Sequence, residues 1–305
     1  MNLHKDKEVF EQYLAATMDF MGAVDISIIE KDYFVTYFLK KIAERQPDVV
    51  FKGGTSLSKC FKLIKRFSED LDINVNRETA KLSEGQRRKL SQDIIFIIEE
   101  SGFSLENPDQ IHSRRDFNRY MIDYGMSASA SFLKSYLVVE TFVPIKSFPT
   151  IMMSAMSLIS EFLVANNAED EVAKYGLEPF KVNVQSIERT FIDKVYAISD
   201  YYLDKKTENH SRHIYDLYKL YPEISFDSAF SELVLEVRCI RKPHAACLSA
   251  QDGVDLPGLL HKIAHENYFF SDYNQITKTL LFEDVSYSEA ISVLDSILEG
   301  GHFAY

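Results

Sequence analysis

Apolar positions along this chain recur with two different periods, and the places where the period changes outline the fold. Val9, Tyr13 and Leu14, then Ile29, Tyr33 and Leu39, fall near helical spacing and predict helices over 5–21 and 26–45. Asp25 stands where an N-cap carboxylate would receive the first free amides of the second helix. Pro47 stops that helix, and the apolar run 48–51 predicts a short buried strand. A helix is expected from Thr55, with Leu57, Phe61 and Ile64 on one face and Lys59, Lys62 and Arg66 on another. Residues 71–75 predict a second strand, 83–100 another helix ending near Gly102, and 112–125 and 134–143 two more strands. From about 154 onward the pattern is mostly helical. Ser186 is placed as an N-cap for a stripe of Ile187, Phe191, Val195, Ile198 and Tyr202. Strands followed by helices predict an α+β protein: a mixed β-sheet core flanked by helices over 1–150, and a mostly helical part over 151–305.

Composition narrows the function classes. The chain has 305 residues, 46% hydrophobic and 26% charged, within the range of ordinary globular proteins. No apolar run is long enough to span a bilayer, and the N-terminus has no secretory apolar region, so a cytoplasmic protein without a membrane partner is expected. The three cysteines, Cys60, Cys239 and Cys247, have no zinc-like spacing and fit reduced thiols. A net charge of −12 argues against a protein that coats nucleic acid broadly. Two acid-free basic islands remain: 52–66, with Lys52, Lys59, Lys62, Lys65 and Arg66, and 237–251, with Arg238, Arg241 and Lys242. Either is a place for a polyanion or a solvated face.

The chemistry concentrates in residues 51–75. Gly53 and Gly54, followed by the hydroxyls Thr55 and Ser56, open a helix whose first amides are free to meet phosphate. A helix length later, Asp70 and Asp72 alternate with apolar residues, so in a strand both carboxylates project from one face. Parallel carboxylates repel each other, and a hard divalent cation offsets that repulsion while also binding phosphate oxygens. The combination points to a metal-dependent enzyme acting on a nucleoside triphosphate. It is not a Walker P-loop, because Ser58 stands where the second glycine before Lys59 would be needed.

Further along, Lys194 falls inside the apolar stripe that begins at Ile187. A lysine turned toward a core must find an anion or give up its proton. A bound triphosphate would supply that anion; a snorkelling side chain or a core carboxylate would serve as well. Arg212 and Asp216 are spaced i and i+4 and share a helix face, which by itself describes a surface ion pair. Glu140 is the one acid in the apolar run 134–143.

The string Lys-Gly-Gly-Thr-Ser-Leu-Ser-Lys, then Arg-Phe-Ser-Glu-Asp-Leu-Asp, resembles the nucleotidyltransferase superfamily of the DNA polymerase beta type. Within it, the string is similar to the AbiEii/AbiGii branch, the toxins of bacterial abortive-infection toxin–antitoxin pairs, to which the MenT toxins also belong. The resemblance runs from about Ile28 to Tyr221. It implies a nucleotidyltransferase fold and transfer of a nucleoside monophosphate from an NTP to an RNA acceptor, a tRNA 3′ end being one such acceptor. It also implies a cognate antitoxin partner. On it, Asp70, Asp72 and a third carboxylate, Glu140, hold Mg2+ or Mn2+. Gly53, Gly54, Thr55, Ser56, Lys59, Ser68 and Arg212 meet the nucleotide. Lys194, in an Arg-x-x-x-x-Lys helix starting at Arg189, and Asp216, in Ser-Arg-His-Ile-Tyr-Asp-Leu-Tyr, act in catalysis. Asp216 would hold Lys194 in place or act as a base on the acceptor hydroxyl. Ser68 is a candidate phosphorylation point. Nucleotidyl or phosphoryl transfer to a small molecule or a protein, or nucleotide binding without turnover, are the other readings.

Overall fold

The computed structural model describes residues 2–22, 25–77, 81–125 and 134–304. Its packing divides the chain into two units, Met1–Phe61 with Ser68–Val184, and Lys62–Phe67 with Gln185–Tyr305. The sequence pattern suggested a boundary at 150; the first unit continues to Val184 because two further strands belong to its sheet.

The first unit opens with α1 (Lys7–Met21) and α2 (Ile26–Arg45), the latter capped by Asp25, whose carboxylate accepts the Ser27 amide at 2.8 Å. Then come β1 (Val49–Lys52), α3 (Gly53–Lys59), β2 (Asp70–Val75) and α4 (Glu84–Glu100), which starts with a Ser83–Gln86 capping box. The short β3 (Ser104–Leu105), then β4 (Phe117–Asp123), β5 (Leu137–Phe142) and β6 (Thr150–Ala155), lead to α5 (Leu158–Ala165), α6 (Glu169–Lys174) and β7 (Phe180–Gln185). Seven strands form one mixed sheet in the order β3-β4-β5-β2-β1-β7-β6. β1 runs antiparallel to β2, placing Lys52 opposite Asp72, and parallel to β7. β2 runs parallel to β5, placing Asp72 beside Glu140. Leu71, Ile73 and Val139 point into the core shared with Phe38 and Ile94. The alternate residues Asp70, Asp72 and Glu140 therefore lie on the other face of the sheet.

β6 and β7 fall inside the stretch expected to be helical. The period-2 signal was present at β7, where Phe180, Val182 and Val184 alternate with Lys181, Asn183 and Gln185. The helix expected to carry Lys59, Lys62 and Arg66 on one face is also shorter than the pattern predicts. α3 ends at Lys59, and Lys62 takes a positive φ of 58°, which no helix accommodates. Residues 62–67 instead belong to the second unit. There the Phe67 amide donates to the Leu280 carbonyl at 2.8 Å and the Phe282 amide to the Lys65 carbonyl at 2.9 Å.

The second unit is built from α7 (Ile187–Leu203), α8 (Arg212–Leu220), α9 (Ser228–Arg241), α10 (Leu256–His265), α11 (Phe270–Gln275), α12 (Tyr287–Ile291) and α13 (Val293–Gly300). Ser186 caps α7, accepting the Arg189 amide at 3.3 Å. Phe191, Val195 and Ile198 of α7 and Ile214 and Leu217 of α8 are buried, each worth about 1.5–3 kcal/mol of apolar transfer. The C-terminal part fixes α8 at both ends. The Asp272 carboxylate takes the amides of Asn209, His210 and Ser211 at 2.7, 3.1 and 2.9 Å, and Glu283 accepts from the Tyr215 hydroxyl at 2.7 Å and pairs with Lys219 at 2.9 Å. Among the described residues no helix is long and apolar enough to cross a membrane.

Candidate active site

Two groups of predicted residues are assembled, one in each unit. In the first, the turn from β1 into α3 brings Gly53 against β2. Gly53 has φ +79°, and a Cβ built there would lie 1.9 Å from Asp72 Oδ2. Only glycine fits, by conformation and by space. The hydroxyls that follow are spent on holding this turn. Thr55 donates to the Asp70 carbonyl at 2.6 Å and sits 2.9 Å from Ser68 Oγ, while Ser56 donates to the Gly53 carbonyl at 2.8 Å. Both residues are buried, so any direct contact with a nucleotide through their side chains requires breaking these bonds. β2 begins at Asp70, and Ser68 lies just before it, tied to Thr55.

Asp70 and Asp72 project from one face of β2 as the alternation predicts, and neither is fully buried. Lys134 lies 2.9 Å from Asp70 Oδ1, so a cation already rests on that carboxylate. Glu140 stands in register with Asp72, but its carboxylate is committed to Arg119, at 2.7 Å from Nε and 2.6 Å from Nη2. Among the described residues no group of three or more His, Cys, Asp or Glu is arranged to hold a metal. The pair Asp70 and Asp72 fits a divalent cation that keeps other sites for phosphate and water, since Mg2+ commonly takes only one or two protein carboxylates.

Lys59, expected among the nucleotide-binding residues, has its ammonium turned inward to Asp32 at 2.5 Å and Thr36 at 2.8 Å. Asp32 also accepts the Leu158 amide at 2.7 Å, so Lys59 belongs to a link between α2, α3 and the start of α5.

The second group lies inside the second unit. Asp216 has 0% of its surface exposed. Its Oδ1 accepts from Arg66 Nε at 2.6 Å, and its Oδ2 accepts from Arg66 Nη2 at 2.8 Å and Lys194 Nζ at 2.6 Å. Burial alone would raise the Asp216 pKa; the charges and hydrogen bonds of Arg66 and Lys194 overcome it and hold the carboxyl well below the usual range. Lys194, 5% exposed, is lowered by burial and by Arg66 and Arg212, with Asp216 opposing. Two cations thus share one buried carboxylate. Lys194 does turn toward the core, as its place in the α7 stripe required. Arg189, at the start of the same helix, is buried as well, with Asp193 at 3.1 Å.

The i, i+4 pair of Arg212 and Asp216 does not form, because Asp216 points inward to partners from α7 and the 62–67 segment. Arg212 is half-buried at the start of α8, beside His213. The second basic island is not a free basic face. Arg241 pairs with Asp193 at 3.2 Å and Asp200 at 2.8 Å, and Lys242 with Asp252 at 2.6 Å.

The sequence reading missed Lys31, Glu69 and Lys134, which surround Asp70. Lys31 had a signal: on α2 it shares a face with Ile28, Phe34, Val35 and Phe38, all buried. That is the pattern that singled out Lys194.

A mixed sheet carrying an Asp-x-Asp strand packed on a Gly-Gly turn defines the nucleotidyltransferase class. The family model "Nucleotidyl transferase AbiEii toxin, Type IV TA system" matches residues 37–286, and the chain belongs to that family. Among solved structures, the chain is similar to MenT4, a nucleotidyltransferase toxin from Mycobacterium tuberculosis H37Rv. The TM-score is 0.53 at 15% identity, covering 95% of this chain and 88% of that one, a likeness of fold. Among curated proteins nothing matches.

Proposed function

We propose that this nucleotidyltransferase moves a nucleoside monophosphate from an NTP to an RNA acceptor, with Asp70 and Asp72 holding a divalent cation, Mg2+ or Mn2+. The observation that carries the reading is the packing of Asp72 on Gly53, which joins the carboxylate pair to the glycine turn that opens α3. When bound, the cation supplies neutralisation of charge on the triphosphate. The amides of Gly53 and Gly54 orient the phosphates. The acceptor hydroxyl gives its proton to solvent water as its oxygen bonds to the α-phosphorus, and the bond to the bridging oxygen breaks as pyrophosphate departs with that bond's electron pair.

Of the two roles open to Asp216, holding Lys194 is the one its surroundings favour. A fully buried carboxylate bonded to two cations takes up a proton with difficulty. Membership of a toxin–antitoxin family supports a cognate antitoxin, and the acceptor we propose beside it is RNA, a tRNA 3′ end among the candidates. All three cysteines are free thiols, in keeping with a cytoplasmic setting. Incubation with NTPs labelled at the α-phosphate or at the γ-phosphate, in the presence of total RNA, tests the reading. Label should enter RNA from the α position only. Label from the γ position would mean phosphoryl transfer, and label in neither would remove RNA as the acceptor.

A further inference from the structure

Asp70 already carries a counter-cation. Lys134 Nζ lies 2.9 Å from Asp70 Oδ1 and 3.6 Å from Glu69 Oε1. Behind them is Lys31, whose side chain is 0% exposed. Lys31 pairs with Glu69 Oε2 and donates to the Lys134 main-chain carbonyl at 2.6 Å. One buried lysine therefore fixes both the backbone from which Lys134 extends and the carboxylate beside its ammonium. The Lys134 side chain itself is 40% exposed, so it can swing without disturbing the core.

We infer that Lys134 is a further binding residue of the nucleotide site, occupying Asp70 until metal and triphosphate arrive together and then passing its ammonium to the phosphates. The inference rests on the reading of Asp70 as a metal ligand. A divalent cation and an ammonium cannot share one carboxylate without strong repulsion. Free metal must therefore displace Lys134 from Asp70, which weakens its binding. A triphosphate brings negative charge that offers the displaced ammonium a new partner. Metal and nucleotide should accordingly favour each other's binding, by the same factor in both directions. Lys31, by anchoring the Lys134 backbone and Glu69, limits the movement to the side chain.

The test is Mn2+ binding by the full chain, followed by electron paramagnetic resonance, with and without a non-hydrolysable α,β-methylene triphosphate. The variants are Lys134→Gln, Lys134→Arg and Asp70→Asn, each checked for an unchanged melt. Lys134→Gln should raise affinity for Mn2+ alone by about two- to fivefold, the range expected from removing one partly exposed charge partner, and should shrink the enhancement given by the triphosphate. Lys134→Arg should keep the weak binding of the wild type. Unchanged or weaker Mn2+ binding in Lys134→Gln, with Asp70→Asn abolishing it, would overturn the role of Lys134 alone. Wild-type Mn2+ binding that survives Asp70→Asn would overturn the metal assignment and this inference with it.

Discussion

Arg66 and Asp216, 150 positions apart in the sequence, form a two-pronged ion pair in the interior of the second unit, Nε to Oδ1 at 2.6 Å and Nη2 to Oδ2 at 2.8 Å. Lys194 completes the group at 2.6 Å from Oδ2. The pair ties the 62–67 segment to α8, and Arg66 stands four positions before Asp70 in the chain.

Replacing Asp216 should therefore damage the fold as well as activity. Asp216→Ala leaves two buried cations without their carboxylate, and its cost should be about 3–5 kcal/mol, read from urea melts. Loss of activity at this position is informative only beside such a melt. A variant as stable as the wild type would contradict the buried triad.

The same carboxylate gives stability a pH dependence of known sign. Its folded pKa lies below the unfolded value of about 3.9, so its contribution is complete above that value and is lost as pH falls toward the folded pKa. Acid titration of the melt should show a loss of stability that sets in as pH falls through about 4, and Asp216→Asn should lose this part of the slope.

His4 acts in a neighbouring pH window. Burial, aided by Lys5, lowers its pKa to about 4, and Nδ1 is 2.8 Å from the Tyr33 hydroxyl. The folded protein takes up this proton less readily than the unfolded chain, so stability should fall as pH drops from about 6.5 toward 4. His4→Gln should flatten the melting profile over that interval; an unchanged profile would assign the slope elsewhere.

Gly53→Ala should cost more than a surface substitution and should act on Asp72. The left-handed conformation penalises alanine by about 1–2 kcal/mol, and the new methyl falls on the carboxylate. Metal binding and transfer should both drop sharply. A variant with normal Mn2+ affinity would show that Asp72 can move without consequence.

Much of the first unit was legible because its signals are local. The capping of α2 by Asp25, the β1–α3 turn and the alternation through Asp70 and Asp72 depend on neighbours in sequence. Lys194 was legible too, since a charge inside a helical stripe stands out. Other features depend on distant partners. Nothing near Asp216 announces that its partners are Arg66 and Lys194 rather than Arg212, and nothing near Lys59 announces Asp32. The end of α3 was hidden because Leu57, Phe61 and Ile64 keep helical spacing while residues 65–67 pair with 280–282. β7 was overlooked although its alternation was present, because the helices around it dominate the pattern.

The central claim is that Asp70 and Asp72 are the metal-binding pair of a nucleotidyltransferase. The most direct measurement is transfer of α-labelled NTP by the wild type and by Asp72→Asn, with Mg2+ and total RNA, alongside thermal melts of both. Removing one of two neighbouring carboxylates relieves repulsion, so the variant's stability should stay within about 1 kcal/mol of the wild type or rise slightly. The account predicts labelled RNA from the wild type and none above background from the equally folded variant. Undiminished transfer by Asp72→Asn would contradict it.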